Sequence, residues 1–166
     1  EWLERHENLL NTPSSPSAST IPDSLFVPYL SQEKQLFFYP SDTRLSARYI
    51  GGKVAIICDS TLTISSNTYL DGCIVAAQAI VVEEGFRGRF QAFARQSIAV
   101  EDGAKLLYPS VLFVNGSDNA SIRIGPDCFL CGTFILNGKD YQTTHLQVGL
   151  ATILEGVVYN SGTTEL

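Results

Sequence analysis

The sequence predicts an all-β fold: a single-stranded parallel β-helix, right-handed, with about 18 residues per coil and a short helix ahead of it. Three observations carry that prediction. From about Leu25 onward, short alternating apolar runs are broken by Gly, Asn and Asp, the period-two signature of half-buried strands. Like residues then recur at a fixed spacing, which is the mark of a repeat architecture. Finally, 45% of the 166 residues are hydrophobic, 17% are charged and 13 are Gly, which describes a packed, turn-rich chain rather than a disordered one.

Two regions follow from the composition, residues 1–20 and residues 21–166. Over 1–10, Trp2, Leu3, His6, Leu9 and Leu10 fall on one side of a helical wheel, with Glu1, Glu4, Arg5, Glu7 and Asn8 elsewhere. That is a short amphipathic helix. Asn11 to Thr20, with Pro13 and Pro16 among Ser and Thr, reads as a tether unable to build a core. The β-helix domain occupies the rest.

Within it, Leu62, Ile80, Ile98, Ile122 and Leu146 begin equivalent segments, and Ile64, Val82, Val100, Ile124 and Val148 stand two residues later. The steps are 18, 18, 24 and 24 residues. Eight residues after each start come Leu70, Gly88, Leu106, Leu130 and Leu154; twelve after come Ile74, Ala92, Ser110, Phe134 and Val158. A weaker copy is expected from Arg44 through Ile50, Gly52, Val54, Ile56 and Cys58, and an earlier one near Phe26 to Pro40. An 18-residue unit is too short for two helices and suits three short strands, each stacked ~4.8 Å from its equivalent in the next coil. Inward side chains are expected at offsets 0, 2, 6, 8, 12 and 14, and Gly85 and Gly103 fall where a corner favours φ > 0. The two longer steps insert Asn115 to Ala120 and Asn137 to Thr144, both opening with Asn-Gly, at the same corner. They should stack into a polar lobe.

Segments opening Ile80-Val-Val-Glu-Glu-Gly85 and Ile98-Ala-Val-Glu-Asp-Gly103 resemble the rungs of bactofilins, the polymer-forming bacterial cytoskeletal proteins, over about residues 44–160. The resemblance implies a right-handed triangular β-helix, no cofactor, no catalytic residues and end-to-end association. It also implies a bacterial source, without choosing between the cytoplasm and a membrane-anchored or extracytoplasmic place. Left-handed hexapeptide acyltransferases also have 18-residue coils, but they prefer small residues at tight corners. Here those positions hold Leu62, Ile74, Ile80, Phe86, Ile98 and Phe134, which favours the right-handed form.

Charge and chemistry narrow the function further. A net charge of -6 makes nucleic acid a poor partner, since there is no basic surface to hold phosphates. No apolar run reaches about 18 residues, so no transmembrane segment is expected, and no charged-then-apolar leader opens the chain. Of the four cysteines, Cys128 falls in the inward phase while Cys73 and Cys131 fall in the outward phase, and no second CxxC completes a zinc set. Cys73 and Cys131 lie three coils apart, too far for a disulfide. His145 with Lys139, Asp140 and Tyr141 nearby is the candidate general base of an acyltransferase, although a turn histidine explains it as well. Asp118 and Asp140 are candidate calcium ligands of the kind acidic β-helix faces provide, and turn-forming Asp accounts for both. Arg87, Arg89 and Arg95 with Glu83, Glu84, Glu101 and Asp102 form a solvated mixed-sign face. Asn115 and Asn119 begin N-glycosylation acceptor patterns.

One column departs from a plain solenoid. Offset 13 should face solvent, yet it reads Val75, Phe93, Val111, Ile135 and Tyr159, an apolar strip that something should cover. The two candidates are the protein's own N-terminal helix and another subunit. The sequence therefore predicts a non-enzymatic scaffold without metal or cofactor. It associates through this strip, or binds a protein or glycan partner at the lobe of Asp118, Asn119, Lys139, Asp140 and Tyr141. A glycan-binding β-helix of a cell-surface protein and a hexapeptide acyltransferase are the alternatives.

Overall fold

The computed structural model describes residues 20–116 and 118–165. The helix expected over residues 1–10, and the tether up to residue 19, lie outside that range. Fourteen strands belong to one sheet, and every pairing in it is parallel. The chain winds as a β-solenoid of about six turns.

Each turn has three sides. The first is built from β3 (Thr43–Leu45), β6 (Thr61–Ile64), the ends of β7 (Tyr69–Val82) and β8 (Arg87–Val100), then β10 (Ser121–Ile124), β12 (His145–Val148) and β14 (Thr163–Glu165). The second holds β1 (Ser24–Val27), β4 (Tyr49–Gly52) and the beginnings of β7, β8, β9 (Lys105–Asn115), β11 (Phe129–Asn137) and β13 (Ile153–Asn160). β2 (Gln35–Tyr39), β5 (Val54–Cys58) and the later parts of β7, β8, β9, β11 and β13 make the third.

Stacking on the first side follows the repeat. Leu62, Ile80, Ile98, Ile122 and Leu146 pair in register, as do Ile64, Val82, Val100, Ile124 and Val148. All but Val148 are buried, and Val148 is half-buried against the same core. Each fully buried aliphatic side chain contributes roughly 1.5–3 kcal/mol, so a column of five outweighs any single polar contact in the coil. Thr68, Phe86, Ala104 and Cys128, one corner further on, are buried as their phase demands. Gly85 and Gly103 turn that corner at φ 71° and 65°.

On the second side Leu70, Gly88, Leu106 and Leu130 are buried as expected, and only beyond it do irregularities shift the phase or the pairing. Between Asp71 and Cys73, β7 carries one extra residue relative to β8 at Gly72, whose φ is 71°. A one-residue slip exchanges the two faces of a strand. Val75 and Cys73 are therefore fully buried rather than outward, and Ile74 and Ala76 point out in their stead. Two extra residues enter β9 around Tyr108 and Pro109, so Ala92 pairs with Leu112 and not with Ser110. Ser110 is buried opposite Gly132, with its hydroxyl donating to the Leu107 carbonyl at 2.6 Å. The weaker copy also begins one residue early, since Thr43 is the partner of Leu62, while Arg44 faces out beside Thr63. The first coil near Phe26 to Pro40 is present as β1 and β2.

Candidate functional site: an apolar outer flank

The third side presents two adjacent outward columns, because every second residue of its strands faces away from the core. The inward column between them contains Phe37, Ile56, Val75, Ala92, Leu112 and Phe134, all buried. On one side of it stand Leu36, Ala55, Ile74, Gln91, Val111, Thr133 and Val157. On the other stand Phe38, Ile57, Ala76, Phe93, Phe113, Ile135 and Tyr159. Twelve of these fourteen side chains are apolar or aromatic, which is the inverse of an ordinary solvated sheet face. The middle rungs are half-buried, as is Phe38 in the first, whereas Leu36 is 39%, Val157 62% and Tyr159 54% exposed at the two ends.

Four of the five strip residues read from sequence lie on this flank, but in two columns. Phe93, Ile135 and Tyr159 share one, and Val111 belongs to the other. Val75 is a core residue, for the reason given above. Phe113 and Ala76 take the places assigned to Val111 and Val75, and Phe113 meets Phe93 edge-on, with ring centroids 5.8 Å apart. The second apolar column had no separate signal, since its phase is legible only once the two irregularities are known.

The other sides differ. Outward on the first are Arg44, Thr61, Thr63, Ser97, Arg123 and His145, mostly polar or small. The second carries a self-contained polar network. Arg89 Nε donates to Asp71 Oδ1 at 2.5 Å, and the Tyr49 hydroxyl donates to Asp71 Oδ2 at 3.0 Å. Tyr49 stacks flat on Tyr69 at 6.0 Å. The guanidinium hydrogen bond holds the Asp71 carboxyl below the usual carboxylate range, while burial and the neighbouring carboxylate push the Tyr49 phenol up to about 12. Sequence reading placed Arg89 on a solvated face and missed this partner, although Asp71 stands 18 residues earlier, one repeat away.

The lobe is assembled as expected. Asn137 Nδ2 donates to Asn115 Oδ1 at 2.7 Å, and the Asn119 amide donates to Thr143 Oγ1 at 3.1 Å, joining the two excursions. Asp118, Asn119, Lys139, Asp140 and Tyr141 are all exposed on it. Asp140 caps a single 3-10 turn, Tyr141–Thr143, by accepting from the Gln142 amide, so its carboxylate has a structural task. No cluster of three or more metal-ligating side chains occurs among the described residues. His145 is exposed, with Nδ1 2.6 Å from Thr163 Oγ1. Cys58, Cys73 and Cys128 are buried free thiols and Cys131 is half-buried, so the expected inward and outward phases of Cys128 and Cys131 hold while that of Cys73 is reversed. Among the described residues, no helix is long and apolar enough to cross a membrane.

Fold and flank together define the class: a parallel β-solenoid with one apolar outer side. No protein-family model matches the chain, and neither a curated protein nor a solved structure matches it.

Proposed function

We propose that this protein is a non-enzymatic structural scaffold of bactofilin-like, right-handed type that associates with further copies of itself through its apolar outer flank. The observation that carries the reading is the pair of adjacent apolar columns running through seven successive rungs of the third side. At ~4.8 Å per rung the flank is about 30 Å tall and about 15 Å wide, a flat area of roughly 450 Å². A second copy brings the same spacing, so its rungs seat between these in a two-fold, self-complementary contact. The area per partner is about half of the ~800 Å² of a standard stable interface, so the association is weak and concentration-dependent.

The polar groups support a role without chemistry. His145 lies against a threonine hydroxyl, and the open hollow lined by Asp42, Thr43, Arg44, Thr61 and Thr63 has its guanidinium engaged by Glu83 at 2.7 Å.

Sedimentation of the full chain across a concentration series tests the proposal. Mass should rise with concentration, and Phe113→Asp with Ile135→Asp should hold the protein monomeric while the strand signal persists. A wild-type chain that stays monomeric throughout, or a variant that associates unchanged, removes it. Ligand retention that disappears when residues 137–144 are deleted would instead favour a glycan- or partner-binding lobe.

A further inference from the structure

Resting on the association just described, we infer that residues 1–10 dock on the same flank within one molecule and compete there with a second copy. The segment has the right chemistry: its helical pattern gathers Trp2, Leu3, His6, Leu9 and Leu10 on one side and leaves Glu1, Glu4, Arg5 and Glu7 for solvent. It also starts from the right place. The described chain begins at Thr20, and Ile21 and Tyr39 both pack against the hydrophobic core. Tyr39 lies on β2, the strand that bears Leu36 and Phe38, the first rung of the flank.

Reach and size agree. A tether of residues 11–20 extends up to ~33 Å, so every rung of a flank about 30 Å tall is accessible to it. Ten helical residues measure about 15 Å, enough to lie over three rungs. So short a helix is marginal by itself in water, and an apolar surface to fold against supplies what it lacks. Competition with a second copy also favours the attached segment. A short flexible link holds it at an effective concentration in the millimolar range, whereas a contact of only about 450 Å² per partner draws in a free copy weakly. Neither of the other two sides offers adjacent apolar columns: Asp71 and Arg89 interrupt one, Arg44 and Arg123 the other.

Trp2 is the only tryptophan in the chain, so its fluorescence reads the docking directly. In the full-length protein, at concentrations where sedimentation reports a monomer, Trp2 emission should be shifted to the blue and several-fold less accessible to acrylamide than free indole. Ile135→Asp should return it to water. Leu9→Asp, a change within the segment itself, should do the same. Deleting residues 1–20 should lower the concentration at which association begins. A monomer whose Trp2 is fully quenchable, or whose shielding ignores both substitutions, overturns the inference. Shielding that emerges only as mass rises also overturns it, since the segment would then bridge copies. A shielded monomer that never associates leaves the docking standing and removes the self-association instead.

Discussion

Phe93 and Phe113 meet edge-on across neighbouring coils with their ring centroids 5.8 Å apart, in the centre of the one side of the solenoid that is apolar on its outer surface. An edge-to-face pair of this kind contributes about 0.5–1.5 kcal/mol beyond the area it covers. Phe113→Leu keeps most of the apolar area and removes the ring, so it should lower unfolding stability by about that amount in urea titration. A loss indistinguishable from zero would mean that the pair packs without specific ring geometry.

Deep in the coil, Phe86 and Phe90 form a second edge-on pair at 5.6 Å, both fully buried. Truncating Phe90 to Ala leaves a cavity that flanking β-strands, tied by their ladders, cannot collapse, and the expected cost is about 3–5 kcal/mol. Chemical denaturation should show a midpoint shift several times larger than that of Phe113→Leu.

Two glycines separate backbone strain from crowding. Gly85 adopts φ 71° with open space where a Cβ would sit, whereas Gly52 adopts φ 80° with the Val27 carbonyl in that place. Gly85→Ala should cost about 1–2 kcal/mol, the penalty of a left-handed conformation alone. Gly52→Ala adds a steric collision to the same penalty and should exceed about 3 kcal/mol. Equal losses in thermal unfolding would contradict the packing of β1 over β4.

Acid should weaken the fold through two carboxylates. Asp71 is held below its ordinary range by the Arg89 hydrogen bond, and Glu83 by that of Arg44. A carboxylate depressed on folding adds stability that is complete above its unfolded value, about 3.9 for Asp, and lost as pH falls through the folded value. The decline should therefore lie below about pH 4, and Asp71→Asn should flatten it there while changing little in the dependence above pH 6. An Asp71→Asn variant with the wild-type acid profile would assign the decline to other groups.

The thiols should react in an order set by burial. Cys73 is fully enclosed and its thiol is pushed up to about 12 chiefly by desolvation, while Cys131 is half-buried opposite Glu155. A thiol reagent at pH 8 should modify Cys131 first in the native state and reach Cys58, Cys73 and Cys128 only on unfolding. Early modification of Cys73 would place it on the outer surface after all.

The columns led by Leu62 and Ile64 were legible because β-strand periodicity and a recurring coil act together: each inward position returns after 18 residues, or 24 where an excursion is inserted, with one chemical type. Cys128, Phe86 and the two corner glycines followed from the same phase. Val75 and Cys73 did not, since a single added residue at Gly72 reverses which face each subsequent side chain takes, and no local composition marks whether that residue is absorbed in a bulge or in a turn. Around Tyr108 and Pro109 two added residues leave the faces unchanged and move the partners instead, so Leu112 and Phe113 stand beside Ala92 and Phe93.

By itself, then, the sequence determined that the chain stacks into a parallel solenoid, which columns of the first side form the core, and that two Asn-Gly excursions share a corner. Only the tertiary structure decided where the phase slips, and with it that the apolar flank is two columns wide and that Asp71 clasps Arg89. The reason is that hydrophobic periodicity is a local property of the chain, whereas the register after a bulge is chosen by hydrogen bonding to the neighbouring coil, which pairs Ala92 with Val75 and Leu112 because those partners close both the ladder and the core.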